Sequence, residues 1–379
     1  MEFTCEKKEI QRGVSSVEKI VATRSTLPII GNILFEAGRG EIKLSANNLE
    51  IGIELKVKAK VVKEGAVLLP AKTLVGVVSR LPEAAVEFKL SENGKVRIAY
   101  DQSHFSIHSL PPEEFPVLPK VKEGKSFSVD PGIFVSMVRQ TIFAVSTSEE
   151  KYVLTGVLLE LGKSSVAGDS SNLRMVATDG YRLAKRGEKV GSITAGTISV
   201  IIPARALLEL SRILEGKSEG ELKITVAADQ ISFQYADVYL VSRLIQGQFP
   251  DYKQVIPKKS TTQIILATRD FLEAAERASV VASGSANIMR FDVKGGKVHL
   301  SANTPDVGSV DEVLDAEVKG EGKAQASFNV RLITDVLKVI PSEKVVVELS
   351  EALSPGIIRP ETGGDYLYIV MPIRTQEAG

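Results

Sequence analysis

The sequence has one cysteine, Cys5, and three histidines, His104, His108 and His299, among 379 residues. A single cysteine excludes a disulfide framework and a cysteine-rich metal site. His104 and His108 share one face of a short strand pattern, and two histidines without a third ligand read as surface polar residues. No run of 18 apolar residues occurs, and Glu2-Phe3-Thr4-Cys5-Glu6 looks like a strand and not like an export signal. A soluble, cytoplasmic protein is expected. An excess of one charge is also lacking, because 47 Lys and Arg balance 47 Asp and Glu. That argues against gripping nucleic acid by bulk positive charge but leaves local basic stripes open. Gly162-Lys163-Ser164 and Gly216-Lys217-Ser218 resemble the end of a phosphate-binding loop, but Val157 and Ser211 stand where its first glycine is required. No nucleophile motif accompanies His299. Neither an enzyme nor a bound metal or cofactor is expected.

What the chain does contain is one short segment in three copies. Residues 70–81, 203–214 and 329–340 align without a gap. Each opens with Pro70, Pro203 or Asn329, has a basic residue two places on (Lys72, Arg205, Arg331) and an aliphatic residue four places on (Leu74, Leu207, Ile333). A second basic residue follows at Arg80, Arg212 or Lys338, about two helical turns later. Pro at the first helical position and Asn as an N-cap both start helices. Leu74, Val78 and Leu81, like Leu207, Leu210 and Leu214, fall on one helical face. The spacing predicts amphipathic helices with an apolar and a basic stripe, and their repetition marks a repeat array.

The rest of the chain follows the same threefold order. Helical patterns cover 7–22, 131–144 and 269–281, the second opened by Asp130-Pro131. Apolar runs Ile29–Glu36, Tyr152–Glu160 and Ile288–Val293 read as equivalent strands, with turns at Asn47-Asn48, Asp179-Gly180 and Asn303-Thr304-Pro305. Further strands are expected near 41–46, 49–57, 85–90, 95–100, 103–109, 221–226, 230–235, 238–245, 262–267, 344–349, 355–359 and 365–371. Proline clusters at 111–119 and 250–257 separate the units. The fold class is α+β, with three similar domains over residues 1–121, 122–257 and 258–379, each carrying two helices on antiparallel sheets.

Charge is not spread evenly. The six helical windows hold 13 basic against 7 acidic residues, so they carry +6 and the remainder −6. Two explanations stand: Lys and Arg as good helix formers on solvated faces, or a positive helical surface facing a polyanion.

Several stretches resemble a known family. Arg24-Ser25-Thr26-Leu27-Pro28-Ile29 with Gly31-Asn32, Ala177-Thr178-Asp179-Gly180-Tyr181-Arg182-Leu183-Ala184, Phe249-Pro250-Asp251-Tyr252 and Val370-Met371-Pro372-Ile373-Arg374 are similar to the bacterial β sliding clamps, the processivity subunits of DNA polymerase III. The resemblance covers essentially the whole chain. It implies a head-to-tail homodimer, a six-domain ring whose helices surround duplex DNA without sequence specificity. Arg24, Lys72, Arg80, Arg139, Lys151, Tyr152, Arg205 and Arg212 would then face DNA. It also implies a pocket for short Leu/Phe peptide motifs of the DNA polymerase III α subunit, the clamp-loader δ subunit, other polymerases and repair proteins. By match, the pocket comprises Leu154, Thr178, Gly180, Tyr181, Arg182, Leu183, Pro250, Val255, Ile369, Met371, Pro372, Ile373 and Arg374. Aliphatic walls with a methionine suit several partners. Phe105, Val280 and Val281 match apolar ring-interface positions, with Asp306, Asp311 and Glu312 expected to face basic residues across it. Tyr181 departs from the histidine common in the family. The rival reading is a peptide-binding adaptor that does not encircle DNA.

Overall fold

The apolar spacing of the sequence is realised in helices that each bury one stripe. Among the residues described by the computed structural model (1–22, 27–163, 170–191 and 196–374), six α-helices form. They are α1 Lys7–Glu18, α2 Ala71–Val78, α3 Pro131–Thr141, α4 Ala204–Leu214, α5 Thr268–Ala282 and α6 Val330–Leu337. The triplicated segments become α2, α4 and α6. Leu74, Val78, Leu207, Leu210, Leu214 and Ile333 are buried, while Lys72, Arg205 and Arg331 are exposed. Each buried aliphatic side chain contributes about 2 kcal/mol. The start differs from expectation at Pro70, which is the N-cap of α2 and not its first residue. Asn329 caps α6 as expected, its side chain accepting from Arg331 N at 3.0 Å.

The chain forms two compact units, Met1–Gly132 with Arg205–Leu244, and Ile133–Ala204 with Ile245–Gly379. In the first, a five-stranded antiparallel sheet runs in the order Lys60–Lys63, Glu2–Glu6, Ala85–Leu90, Lys95–Tyr100, Ser103–His108. An eight-stranded sheet runs Lys125–Val129, Leu222–Val226, Gln230–Tyr235, Val238–Arg243, Ile51–Lys58, Glu41–Asn47, Asn32–Gly38, Gly65–Pro70. Phe3, Phe35 and Phe88 are fully buried and stack, Phe3 on Phe88 at 4.8 Å between centroids. Helix α1 packs on Glu41–Asn47 and Ile51–Lys58. Gly13 permits that approach, since a Cβ there would lie 2.6 Å from the Leu44 side chain.

In the second unit, a nine-stranded sheet runs Ile198–Pro203, Gly156–Leu161, Leu173–Thr178, Arg182–Glu188, Asp365–Val370, Gly356–Pro360, Lys344–Leu349, Thr262–Ala267, Glu317–Gly320. A four-stranded sheet runs Gly308–Asp315, Lys297–Thr304, Ile288–Lys294, Ala324–Asn329. Helix α5 lies on the smaller sheet, with Phe271 edge-on to Phe291 at 5.9 Å. Both large sheets are joined in the same way. Ile51–Lys58 pairs with Val238–Arg243 in one, and Arg182–Glu188 pairs with Asp365–Val370 in the other.

Two expected strands begin later than their apolar runs suggest. Pro28–Gly31 and Glu149–Thr155 are 3₁₀ turns, and the strands proper are Asn32–Gly38 and Gly156–Leu161. Side chains hold these turns: Asn32 Nδ2 donates to the Pro28 and Ile29 carbonyls, each at 3.0 Å, and Thr155 Oγ1 donates to Tyr152 O at 2.7 Å. The turn expected at 303–305 also moves. Asn303 and Thr304 complete a strand, and Val307 N closes on Thr304 O at 3.0 Å. None of the described helices is long and apolar enough to cross a membrane.

Candidate functional site

In the second unit three stretches converge on one cavity of about 160 Å³. The strand end and turn at 178–183 form one wall, the Pro250–Val255 segment another, and Ile369 with Met371 a third. Leu154 completes the rim. The floor is apolar and solid. Leu183 and Ile369 belong to a buried cluster with Leu158, Val176, Ile201, Ile245, Phe249 and Tyr252. At the mouth, Val255 and Met371 are exposed by 46% and 40%. An apolar slot left open above a filled core is a surface on which an inserted side chain gains burial at no cost in core packing.

The rim is rigid for local reasons. Asp179 Oδ1 accepts from Tyr181 N at 2.8 Å and Arg182 N at 3.0 Å, and Thr178 Oγ1 accepts from Gly180 N at 3.1 Å. Gly180 has φ +93°, a left-handed conformation that glycine adopts without strain. Lys151 Nζ donates to Asp179 O at 2.9 Å. The Tyr252 hydroxyl donates to Glu160 at 2.8 Å, anchoring the opposite wall.

Nine of the thirteen expected pocket residues line this cavity: Leu154, Thr178, Gly180, Arg182, Leu183, Pro250, Val255, Ile369 and Met371. Four do not. Tyr181 is 65% exposed and lies under Lys151 Nζ, 5.0 Å from its ring centre. Ile373 N donates to Ser327 O at 2.7 Å, with Pro372 and Ile373 half-buried and Arg374 exposed. Asp251 and Tyr252 are lining residues absent from the expected set, although both stand in the Phe249-Pro250-Asp251-Tyr252 motif. Arg182 borders the slot but directs its guanidinium elsewhere. It donates to Asp179 Oδ2 at 3.1 Å, Asp335 Oδ2 on α6 at 2.6 Å, and Phe143 O at 2.6 Å. Burial opposes its charge, but the hydrogen bond to Asp335 and the neighbouring negative groups outweigh that and hold it above its ordinary range.

The basic positions divide by what already occupies them. Of the 13 basic residues in the helical windows, Lys7, Arg12, Lys19, Arg212, Arg269, Arg277 and Lys338 form ion pairs within the chain. Arg80 Nη1 donates to Gly76 O at 2.8 Å, capping its own helix end, and Arg205 donates to Lys19 O at 3.1 Å. Lys8, Lys72, Arg139 and Arg331 are exposed and make no ion pair among the described residues. Tyr152 is 59% exposed; Arg24 lies outside the described residues. At the expected interface, Phe105 is 38% exposed and stacks on Tyr100, and Val280 is 69% exposed, with Val281 half-buried. Glu312 pairs with Arg277 of its own unit at 2.7 Å. Asp311 lies 3.6 Å from His299. No cluster of three metal-ligating side chains occurs among the described residues.

Comparison with known proteins agrees along the full length. Residues 1–119, 128–251 and 253–374 match the N-terminal, central and C-terminal domains of the DNA polymerase III beta subunit. A beta sliding clamp from Synechocystis sp. is 32% identical over 396 residues, covering 99% of each chain. The crystal structure of the DNA polymerase sliding clamp from Bacillus subtilis superposes with a TM-score of 0.92 at 30% identity, covering 99% of this chain and 100% of that one. A Bartonella birtlesii DnaN sliding clamp bound to griselimycin matches with the same TM-score, identity and coverage. With the three domain matches in order, the apolar slot and the repeated basic helices, the chain belongs to the DNA polymerase III beta subunit family, the sliding clamps that act as processivity factors on DNA.

Proposed function

We propose that two copies of this chain close head to tail into a six-domain ring around duplex DNA and carry replication proteins along it, with no catalysis of their own. The observation that carries this reading is the threefold recurrence of an exposed basic residue two places into the second helix of each repeat (Lys72, Arg205, Arg331) in a chain of zero net charge. Few cations, most of them already paired, suit a protein that must slide. Each neutralised phosphate adds to a salt-dependent grip, and many would fix the register. Lys72 and Arg139 are the residues of the expected DNA-facing set left uncommitted, and Arg24, Arg80, Lys151, Tyr152, Arg205 and Arg212 add weaker or water-bridged contacts. The repeats divide at 121/122 and 257/258. Phe105 of one copy meets Val280 and Val281 of the other, and Asp306, Asp311 and Glu312 supply the acidic side of that contact.

The 160 Å³ slot takes short Leu- and Phe-bearing segments of the polymerase III α subunit, the clamp-loader δ subunit and other polymerases and repair proteins. Its apolar floor fixes the anchor and its exposed methionine adapts to different partners. The cytoplasm is the compartment where these partners work. The test is primer extension on a singly primed circle with polymerase III α subunit and clamp loader. Addition of the protein lengthens products, and Met371→Glu, at an exposed position that leaves the fold intact, abolishes the gain. Equal product lengths with Met371→Glu would remove the slot from the account.

A further inference from the structure

The first unit rebuilds the backbone of the slot at a second place. Asn48 Oδ1 accepts from Glu50 N at 3.1 Å and Ile51 N at 2.8 Å, as Asp179 Oδ1 accepts from Tyr181 and Arg182. Asn47 Oδ1 accepts from Leu49 N at 2.8 Å, where Thr178 accepts from Gly180. Arg243 N donates to Glu50 O at 2.9 Å, and Met371 N donates to Tyr181 O at the same distance. Phe115-Pro116 stands where the slot has Phe249-Pro250. The frame encloses a cavity of about 360 Å³.

Its side chains differ, and the differences have a direction. Leu49 holds φ +75° at the position of Gly180. A glycine would relieve that conformation, yet a leucine stands there, 47% exposed at the cavity rim. Val117, also a lining residue, is 90% exposed. Where the slot has Met371, this groove has Arg243, which is exposed and makes no ion pair among the described residues. Gln230 and Ser242 make the remaining wall polar. Glu50 beside Arg243 sets a limit: one carboxylate is attracted to the guanidinium, whereas a polyphosphate would meet a like charge.

We propose that this groove is a second docking site, for short extended peptides carrying an acidic side chain beside an aliphatic or aromatic one. The apolar side chain packs between Leu49 and Val117, and the carboxylate meets Arg243. The inference rests on the peptide reading of the first slot, whose frame it shares. It gives each chain two docking sites of different selectivity, one apolar and one for acidic segments.

Methyl NMR of the full-length protein separates the two. Titrate with acetyl-Ser-Glu-Leu-Ala-Phe-amide and, separately, with its Glu-to-Gln counterpart. The Leu49 and Val117 methyls report the groove, and Leu154 and Leu183 report the slot. The expected result is a saturable shift of Leu49 and Val117 with the acidic probe, weakened about fivefold by the neutral probe or by Arg243→Gln, and retained in Met371→Glu. Shifts confined to Leu154 and Leu183 would overturn the second site and leave the slot standing. No shift at either place would overturn both. Equal response of Leu49 to both probes would overturn the assignment to acidic segments.

Discussion

Gly180 and Leu49 occupy the same place in two equivalent turns, and the contrast shows how much one residue decides. At Gly180, φ +93° comes without strain, and an added Cβ would lie 3.4 Å from Lys151 Nζ. Gly180→Ala is therefore expected to cost about 1 kcal/mol in urea unfolding and to weaken peptide binding at the slot, because the rim must shift. Arg182 makes the complementary case. Asp335→Asn removes its charged partner on α6 and is expected to cost about 1 kcal/mol of stability, read as a lower urea midpoint with an unchanged slope. The slot was partly legible in the sequence, since Leu154, Leu183, Ile369 and Met371 could be placed by motif. Tyr181, Pro372, Ile373 and Arg374, expected from the same motifs, lie outside the cavity lining. Tyr181 beneath Lys151 and Ile373 bonded to Ser327 make contacts distant in sequence, which a motif does not reveal.

At the scale of elements, the six helices followed from apolar spacing and caps. The strands were read less completely. Lys60–Lys63 and Glu317–Gly320 are short outer strands with mostly exposed side chains, so no alternation marks them. Ile29-Ile30 and Tyr152–Thr155 looked like strands because a short apolar run does not reveal its backbone, and a side-chain bond from Asn32 or Thr155 settles it. Helix α5 is tied to strand Gly308–Asp315 by Arg277 and Glu312, with Nε and Nη2 each donating at 2.7 Å. The hydrogen bond from Arg277 lowers the Glu312 carboxyl below its ordinary value. A depressed acid stabilises the fold above its unfolded pKa, and the contribution is lost as pH falls through the lowered folded value. Wild type should thus exceed Glu312→Gln in stability near neutral pH, and the gap should close below about pH 4. A gap that persists at pH 3 would assign the difference to packing.

For the molecule as a whole, three repeats were visible in sequence and two compact units in the structure. The join between Ile51–Lys58 and Val238–Arg243 spans nearly 190 residues (Leu55 against Val238, Ile51 against Ser242) and leaves no local pattern to read. Zero net charge becomes intelligible at this scale, since topological retention needs little direct affinity for phosphate. Phe105→Arg, at an exposed strand position, is expected to shift the protein from dimer to monomer in sedimentation and to end processive synthesis while leaving peptide binding at the slot intact.

The most direct test is retention on two DNA topologies. Load the protein with a clamp loader onto a nicked circular plasmid, isolate the complex at moderate salt, and cut half of it with a single-site nuclease. The account predicts that protein stays on circles and is lost from linear DNA. Equal retention on both would mean direct binding to phosphates and would contradict the encircling ring.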